Sequence, residues 1–153
     1  MKYVLGLALL VASCASFAET ERELNCLAMN IYHEARGEPL GGQFAVAFVT
    51  MNRVASVRYP SSVCSVVWQR SQFSWTRDGK SDRPRDRKAW ERSKTLAKHI
   101  YKNYHKFMDI SRGAVDITRG ALYYYAYEQV NPYWAKTKKA TTTIGGHVFL
   151  RDS

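Results

Sequence analysis

The stretch Thr20–Pro39, TERELNCLAMNIYHEARGEP, contains the pattern that decides the fold. Thr20 followed three residues later by Glu23 is typical of a helix-capping box. Apolar residues then recur at the spacing of one buried helix face, at Leu24, Leu27, Ala28, Ile31 and Ala35. Gly37 and Pro39 are expected to end the helix. The stretch predicts an amphipathic helix with Glu34 in its last turn, beside the buried face.

Three more helices and a hairpin are predicted along the rest of the chain. A second helix opens at Gly41-Gly42, and Asn52 falls on its apolar stripe, so a polar amide is aimed inward. Ser61 or Ser62 is expected to cap a third helix. A fourth helix contains Trp90 and ends before Gly113.

Residues 141–144 and 148–150 flank Gly145-Gly146 and predict a short hairpin. The predicted fold class is therefore mainly α (α+β), a single domain with a small β-hairpin.

Residues 1–18 resemble a secretory signal peptide rather than part of the fold. Lys2 precedes an apolar run of residues 3–12, which is too short for a comfortable membrane span. Ser16-Phe17-Ala18 offers a cleavage site before Glu19, which would leave residues 19–153 as the mature domain. Val11-Ala12-Ser13-Cys14 also resembles a lipobox, so lipidation at Cys14 is an alternative, and a retained, weakly apolar anchor is another. We expect a protein exported to the periplasm or the extracellular space.

The charge and the cysteine content fit an exported protein. The formal charge is +10, and loss of residues 1–18 would lower it to +9. Such a charge suits an anionic partner such as a cell-wall polymer, lipid or nucleic acid, although it also aids solubility. Export disfavours nucleic acid. Cys26 and Cys64 suggest one disulfide closing a loop of about 38 residues, the alternative being two unpaired buried thiols.

The motifs of metal and nucleophile enzymes are incomplete in this chain. His33-Glu34 is followed by Gly37 where a zincin helix needs its second histidine. No Gly-x-Ser-x-Gly elbow or phosphate loop occurs. We therefore expect no metal and no cofactor.

Glu34 can be interpreted in two ways from the residues alone. A carboxyl beside an apolar face and among aromatic rings is desolvated, which raises its pKa and suits a general acid for a glycosidic oxygen. The plainer interpretation is a solvated carboxylate at a helix end, paired with Arg36 or Arg53.

A family resemblance favours the general acid. The blocks that carry it occur in order, as Ala28-x-x-Ile31-Tyr32-x-Glu34-Ala35-Arg36-Gly37-Glu38-Pro39, Gly42-Gln43-x-Ala45-Val46-Ala47, Asn52-Arg53-Val54, Gln72-Phe73-Ser74, Gly120-Ala121-Leu122-Tyr123-Tyr124, Pro132-x-Trp134 and Ile144-Gly145-x-His147-x-Phe149. Together they resemble the spore cortex-lytic type of cell-wall hydrolases over residues 24–151.

The resemblance implies a lysozyme-like fold, with residues 19–153 as the catalytic domain of a peptidoglycan glycosidase that has a single catalytic acid, Glu34. We expect a monomer. Glu38 would be a second cleft acid or a structural partner of Arg36, and Asn52 would fix cleft backbone or ligand. The residues expected to line the glycan groove are Gln72, Phe73, Ser74, Tyr124, Tyr125 and His147. The family often has histidine where this chain has Tyr125, so stacking or a hydroxyl contact is expected there instead of proton relay.

Two reactions and two non-enzymatic functions follow as expectations. A lytic transglycosylase needs one carboxyl group, whereas a muramidase needs a second group such as Glu38 to activate water. A non-catalytic wall-binding protein would not need Glu34. A nucleic-acid binder would use the basic run from Arg83 to Lys88. Peptidoglycan glycan strands are the expected partner.

Overall fold

The computed structural model of the chain describes residues 4–111 and 116–153. Four α-helices come first, α1 Val4–Ala35, α2 Leu40–Ala55, α3 Val63–Val67 and α4 Arg87–Ser111, and a three-stranded sheet follows, β1 Tyr123–Ala126, β2 Lys138–Ile144 and β3 His147–Asp152. Two 3-10 helices span Ser74–Arg77 and Tyr133–Thr137. The predicted mainly helical fold with a small β element is confirmed. The helix break predicted at Gly113 lies outside the described residues.

Helix α1 contains the predicted buried stripe but not the predicted start. Leu27 and Ile31 are fully buried, as helical spacing requires. The prediction of a capping box that starts the helix at Thr20 is wrong, because α1 begins at Val4 and Thr20 lies inside it. Glu23 instead reaches α3, where its buried carboxylate accepts hydrogen bonds from the backbone N–H groups of Val63 and Cys64. Those N–H groups open α3 and have no partner within that helix.

The predicted leader lies partly outside the described residues, which include neither residues 1–3 nor the side chains of residues 4–16. Within the part of the chain that the structure describes, no helix is long and apolar enough to cross a bilayer.

Helix α2 forms the centre of the molecule because it is buried on two sides. Phe48 and Met51 pack into the helical core with Ile31 of α1 and Ile100 of α4. Ala45 and Val49 face the other way and pack with Ala121 and Phe149 in a second cluster under the sheet. A helix that is apolar on most of its circumference must be covered by several elements, and α2 has α1, α3, α4 and the sheet around it.

A disulfide joins Cys26 of α1 to Cys64 of α3, as the sequence predicted. Ser62 is the N-cap of α3, and its hydroxyl accepts a hydrogen bond from the Ser65 N–H. The short α3 is thus held by a covalent bond, by Glu23 and by its own cap.

The sheet has strand order β1–β3–β2, and both pairs are antiparallel. The predicted hairpin is β2–β3, and Gly145 in its turn has φ +58°, a conformation that favours glycine. Strand β1 was not predicted. Its four residues are all half-buried and lack the alternation that marks a strand. Pairing with β3 places Tyr124 opposite Phe149, at the junction of the sheet and the helical core.

Candidate active site

An open groove of about 1020 Å³ lies where the C-terminal end of α1 meets the sheet. It is lined by residues from five parts of the chain, His33, Glu34, Glu38, Arg53, Arg70, Ser71, Gln72, Phe73, Ser74, Arg77, Tyr124, Tyr125, Ala126, Gln129, Val130, Trp134 and His147. All the residues predicted to act in the groove except Asn52 are in this set. The groove therefore brings together residues that are more than 100 positions apart in sequence.

Glu34 is half-buried in the groove, in the last turn of α1. Its Oε2 accepts a hydrogen bond of 2.9 Å from the Tyr124 hydroxyl. Burial raises the pKa of Glu34, while the Tyr124 hydrogen bond and the positive charge of Arg53 oppose that rise. Burial has the largest effect, so Glu34 holds its proton to higher pH than an ordinary glutamate. A carboxyl group in this state can donate a proton to a ligand in the groove.

Tyr124 is held rigidly as a hydrogen-bond donor. Its ring packs against both apolar clusters and stands edge-on to His147, with the ring centroids 5.3 Å apart. Burial, followed by the negative charge of Glu34, raises the pKa of Tyr124 well above its usual range. The phenol therefore stays protonated and keeps its hydrogen on the Glu34 side.

Arg53 is a groove residue that the sequence did not single out as a binding group. It is buried, and its Nε donates a 2.8 Å hydrogen bond to the Leu122 carbonyl. Its guanidinium lies over the rings of Tyr59 and Phe73, at 5.4 and 5.3 Å from their centroids. Arg53 and Glu34 do not form an ion pair among the described residues, so the paired helix-end interpretation of Glu34 does not hold.

Glu38 is tied to the hairpin turn rather than to Arg36. Its Oε2 accepts a 2.8 Å hydrogen bond from the Gly146 N–H, and its Oε1 lies 3.7 Å from His147 Nδ1. Burial lowers the pKa of His147, and the charge of Glu38 counteracts this effect. Arg36 instead donates to the Tyr32 carbonyl and lies over the Tyr32 ring, so the predicted pairing of Arg36 with Glu38 is not present.

Asn52 lies outside the groove and fixes the backbone beneath it. Its Nδ2 donates to Asp116 Oδ2 at 2.8 Å and to the Ala121 carbonyl at 3.1 Å, and its Oδ1 accepts from the Tyr104 hydroxyl at 2.8 Å. Both sides of this buried amide are engaged by the protein, and it does not line the groove. Of the two roles expected for Asn52, the structure fits the fixing of cleft backbone and not ligand binding.

Two segments with different chemistry complete the groove. Residues 70–77 contribute the predicted Gln72, Phe73 and Ser74, together with Arg70 and Arg77. Residues 124–134 contribute uncharged groups, among them Tyr125 and Trp134, whose ring centroids are 6.0 Å apart. The two arginines were missed because their positions have no periodic or motif signal, and only the folded path of residues 70–77 brings them to the groove.

The groove has no evident metal site. His33 Nε2 lies 2.9 Å from the Asp82 carbonyl oxygen, and its ring stacks on Trp75. Across residues 4–111 and 116–153, no group of three or more histidine, cysteine, aspartate or glutamate side chains could hold a metal ion.

A desolvated carboxyl group in an open groove lined by aromatic, amide and hydroxyl side chains has the features of an enzyme active site. The family comparison agrees with an enzyme. Residues 37–150 match the model of the Cell Wall Hydrolase family, which is more than half of the chain. The chain therefore belongs to the cell wall hydrolase family.

Relatives and solved structures are consistent with this family. The chain is 30% identical to the spore cortex-lytic enzymes of Bacillus cereus and Oceanobacillus iheyensis, over 86% of its own length. It spans 45% and 42% of those two proteins.

Two solved structures have a similar fold. The catalytic domain of the Bacillus cereus SleB protein is 27% identical, with a TM-score of 0.63 over 86% of this chain and 91% of that one. The catalytic domain of the germination-specific lytic transglycosylase SleB from Bacillus anthracis is also 27% identical. Its TM-score is 0.62, over 84% of this chain and 93% of that one.

Proposed function

We propose that the chain cleaves the β-1,4 bond between N-acetylmuramic acid and N-acetylglucosamine in peptidoglycan, as a lytic transglycosylase with Glu34 as its acid and base. The observation that carries this proposal is the desolvated Glu34 carboxyl in the groove, hydrogen-bonded to Tyr124. A glycan strand is long and uncharged along its sugar faces, and an open groove with Tyr125 and Trp134 suits it.

The reaction needs one carboxyl group that acts twice. Protonated Glu34 gives its proton to the glycosidic oxygen, and the bond from muramic C1 to that oxygen breaks. The muramic C6 hydroxyl then attacks C1, and the Glu34 carboxylate takes the hydroxyl proton. The product has a 1,6-anhydro end, no water is consumed, and Glu34 returns to its protonated state.

The surroundings of Glu38 support a mechanism with one acid. Glu34 and Glu38 are the two acids among the described residues that line the groove. Glu38 is engaged by the Gly146 N–H, and an added methyl group at Gly145 or Gly146 would press on its carboxylate. A carboxylate packed in this way against a turn is suited to holding the turn. The description of the Bacillus anthracis neighbour as a lytic transglycosylase points in the same direction.

A muramidase is the second candidate, and a specific observation favours it. Glu38 lines the same groove as Glu34, and His147 lies beside it. If Glu38 activates a water molecule, hydrolysis gives a reducing muramic end instead of the anhydro end.

Mass spectrometry of soluble products from purified peptidoglycan tests both reactions. We expect anhydro-muramic products from the full chain, which are one water lighter than hydrolysis products, and their loss in Glu34→Gln by a factor of roughly 10³. Glu38→Gln is expected to keep most of the activity. Glu91→Gln is the matched control, since Glu91 is exposed on α4 and away from the groove.

Other outcomes select the alternatives. Reducing-end products that disappear in both Glu34→Gln and Glu38→Gln would make the chain a muramidase. Binding to peptidoglycan without any product, unchanged in Glu34→Gln, would make it a wall-binding protein.

We also infer that the protein acts outside the cytoplasm, because its proposed substrate lies there and residues 1–18 have the pattern of a secretory leader. Intact-mass measurement of the protein from the cell envelope tests this. An N-terminus at Glu19 supports secretion, a lipid-modified Cys14 supports anchoring, and a retained Met1 contradicts cleavage.

A further inference from the structure

We propose that Arg70 and Arg77 form a subsite for a carboxylate carried by muramic acid, so that the groove selects anionic glycan strands. This inference deepens the proposed function and rests on it, because it names the part of the peptidoglycan substrate that those two residues recognise.

The first support is the state of the two arginines. Both are exposed, and both line the groove. Among the described residues, neither guanidinium has an ion pair or a hydrogen bond. Arginine on a protein surface is often neutralised by a neighbouring acid, and here no described acid takes that place. Two unneutralised fork-shaped donors in a substrate groove are suited to binding a carboxylate.

The second support is how the chain places the two arginines. Ser71, between them, has φ +64°, a conformation that is uncommon for a residue other than glycine. This turn follows Trp68 at the end of α3 and directs residues 72–77 along the groove. Phe73 is buried and anchors the segment against the Arg53 guanidinium. The arginines therefore stand on a segment that is fixed from beneath.

The third support is the charge of the groove. Arg53, Arg70 and Arg77 contribute three positive charges. Of the two acids, Glu34 is desolvated and Glu38 is already bound by the Gly146 N–H. The other lining segment, from Tyr124 to Trp134, contributes no charged side chain. The two exposed arginines thus lie on one segment, and the rings of Tyr124, Tyr125 and Trp134 lie on the other. This arrangement suits a strand with sugar faces and carboxylate side groups.

Two parts of peptidoglycan carry a carboxylate next to the scissile bond. One is the lactyl group of muramic acid, free where no peptide is attached. The other is the stem peptide, which begins on that lactyl group. Both present the same chemistry to Arg70 and Arg77, and the test separates them.

The test measures binding without turnover. Full-length protein with Glu34→Gln is sedimented with purified peptidoglycan, and with peptidoglycan whose carboxyl groups have been coupled to glycinamide. We expect Arg70→Gln with Arg77→Gln to weaken binding to untreated peptidoglycan about tenfold or more, and to have no further effect on the neutralised material. The matched control is Arg87→Gln with Arg92→Gln, which removes the same charge from exposed sites on α4. That control is expected to weaken binding less than about threefold.

Equal loss in the two double variants would overturn the proposal, since general charge attraction would then explain the binding. Unchanged binding of the Arg70 and Arg77 variant would also overturn it. The variant Arg70→Lys with Arg77→Lys keeps the positive charge but loses the forked donor geometry. Its expected affinity lies between that of the protein with both arginines and that of the Arg70→Gln, Arg77→Gln variant.

A third substrate shows whether the bound carboxylate belongs to the lactyl group or to the stem peptide. Peptidoglycan stripped of its stem peptides by an amidase keeps the lactyl carboxylate. Retained binding assigns the lactyl group, and lost binding assigns the peptide. The readout is also separate from catalysis: arginine-dependent binding with no glycan product from the wild type would refute the proposed reaction and leave the subsite standing.

Discussion

The Tyr124 hydroxyl donates a 2.9 Å hydrogen bond to Glu34 Oε2 across a sequence separation of 90 residues. Glu34 lies in the last turn of the first helix, and Tyr124 lies on the first strand of the sheet. The hydrogen bond joins the two halves of the fold at the carboxyl group on which the proposed reaction depends.

Removing that hydroxyl should move the pH dependence of the reaction. The hydrogen bond lowers the pKa of Glu34, so Tyr124→Phe raises it further. Because a general acid must be protonated, the alkaline limb of the pH–rate profile moves to higher pH. The maximal rate falls roughly tenfold with the loss of a charge-assisted hydrogen bond. Product release from peptidoglycan, measured between pH 4 and 9, checks both effects. Tyr125→Phe, whose hydroxyl does not contact Glu34, should leave the position of the limb unchanged.

Glu34 should reduce the stability of the folded protein in a pH-dependent way. Its pKa is raised in the folded state, so the carboxyl is neutral in both states below about pH 4, the usual range of an unfolded glutamate. As the pH rises through the folded pKa, a charged carboxylate must be held at a partly buried site where it is poorly hydrated, and stability is lost. Glu34→Gln removes that cost while keeping an acceptor for Tyr124. Its Tm should exceed that of the wild type at pH 8 and converge with it near pH 4. A difference that is constant with pH, or one shared by Glu91→Gln, would contradict the desolvation of Glu34.

The buried amide of Asn52 should contribute strongly to stability. Asn52→Ala leaves the Tyr104 hydroxyl and one Asp116 oxygen with fewer partners in a buried site. We expect a loss of about 2–4 kcal/mol in the free energy of unfolding, measured by urea denaturation. Asn103→Ala is the control, since that amide donates to the His99 carbonyl one turn before it in α4. A cost below about 1 kcal/mol for Asn52→Ala would show that water or a neighbour replaces the amide.

The Cys26–Cys64 disulfide should stabilise the fold by about 4 kcal/mol, because it closes a loop with a sequence separation of 38. Reductant should therefore lower the Tm of the wild type. The double variant Cys26→Ser with Cys64→Ser should start at the lower Tm and show no response to reductant. That variant keeps Cys14, so any remaining response would be assigned to it.

The sequence predicted local features well and distant partners poorly. Helical spacing placed Glu34 beside the buried face, and Gly145-Gly146 marked the hairpin. Both depend on residues within a few positions of each other. The partners of Glu34 and Asn52 could not be found in this way, because Tyr124, Tyr104 and Asp116 lie more than 50 residues away.

The features that the sequence did not predict, or predicted wrongly, also have physical explanations. Strand β1 forms because it pairs with the edge of β3. Its four residues are all half-buried, so its sequence lacks the alternation of apolar and polar residues that would predict a strand. Arg53 has the polarity of a surface residue, but Leu122 and two aromatic rings provide it with a buried site. The capping box at Thr20 is a common local pattern that a continuing helix overrides.

The separation of Glu34 from Tyr124 also sets an order of events. The chain is made from its N-terminus, so the acid of the first helix exists before the strand that supplies its hydrogen-bond donor. The groove is complete only after β3, near residue 150, has paired with β1. A chain arrested before the sheet forms would thus have Glu34 but neither its Tyr124 partner nor a complete groove.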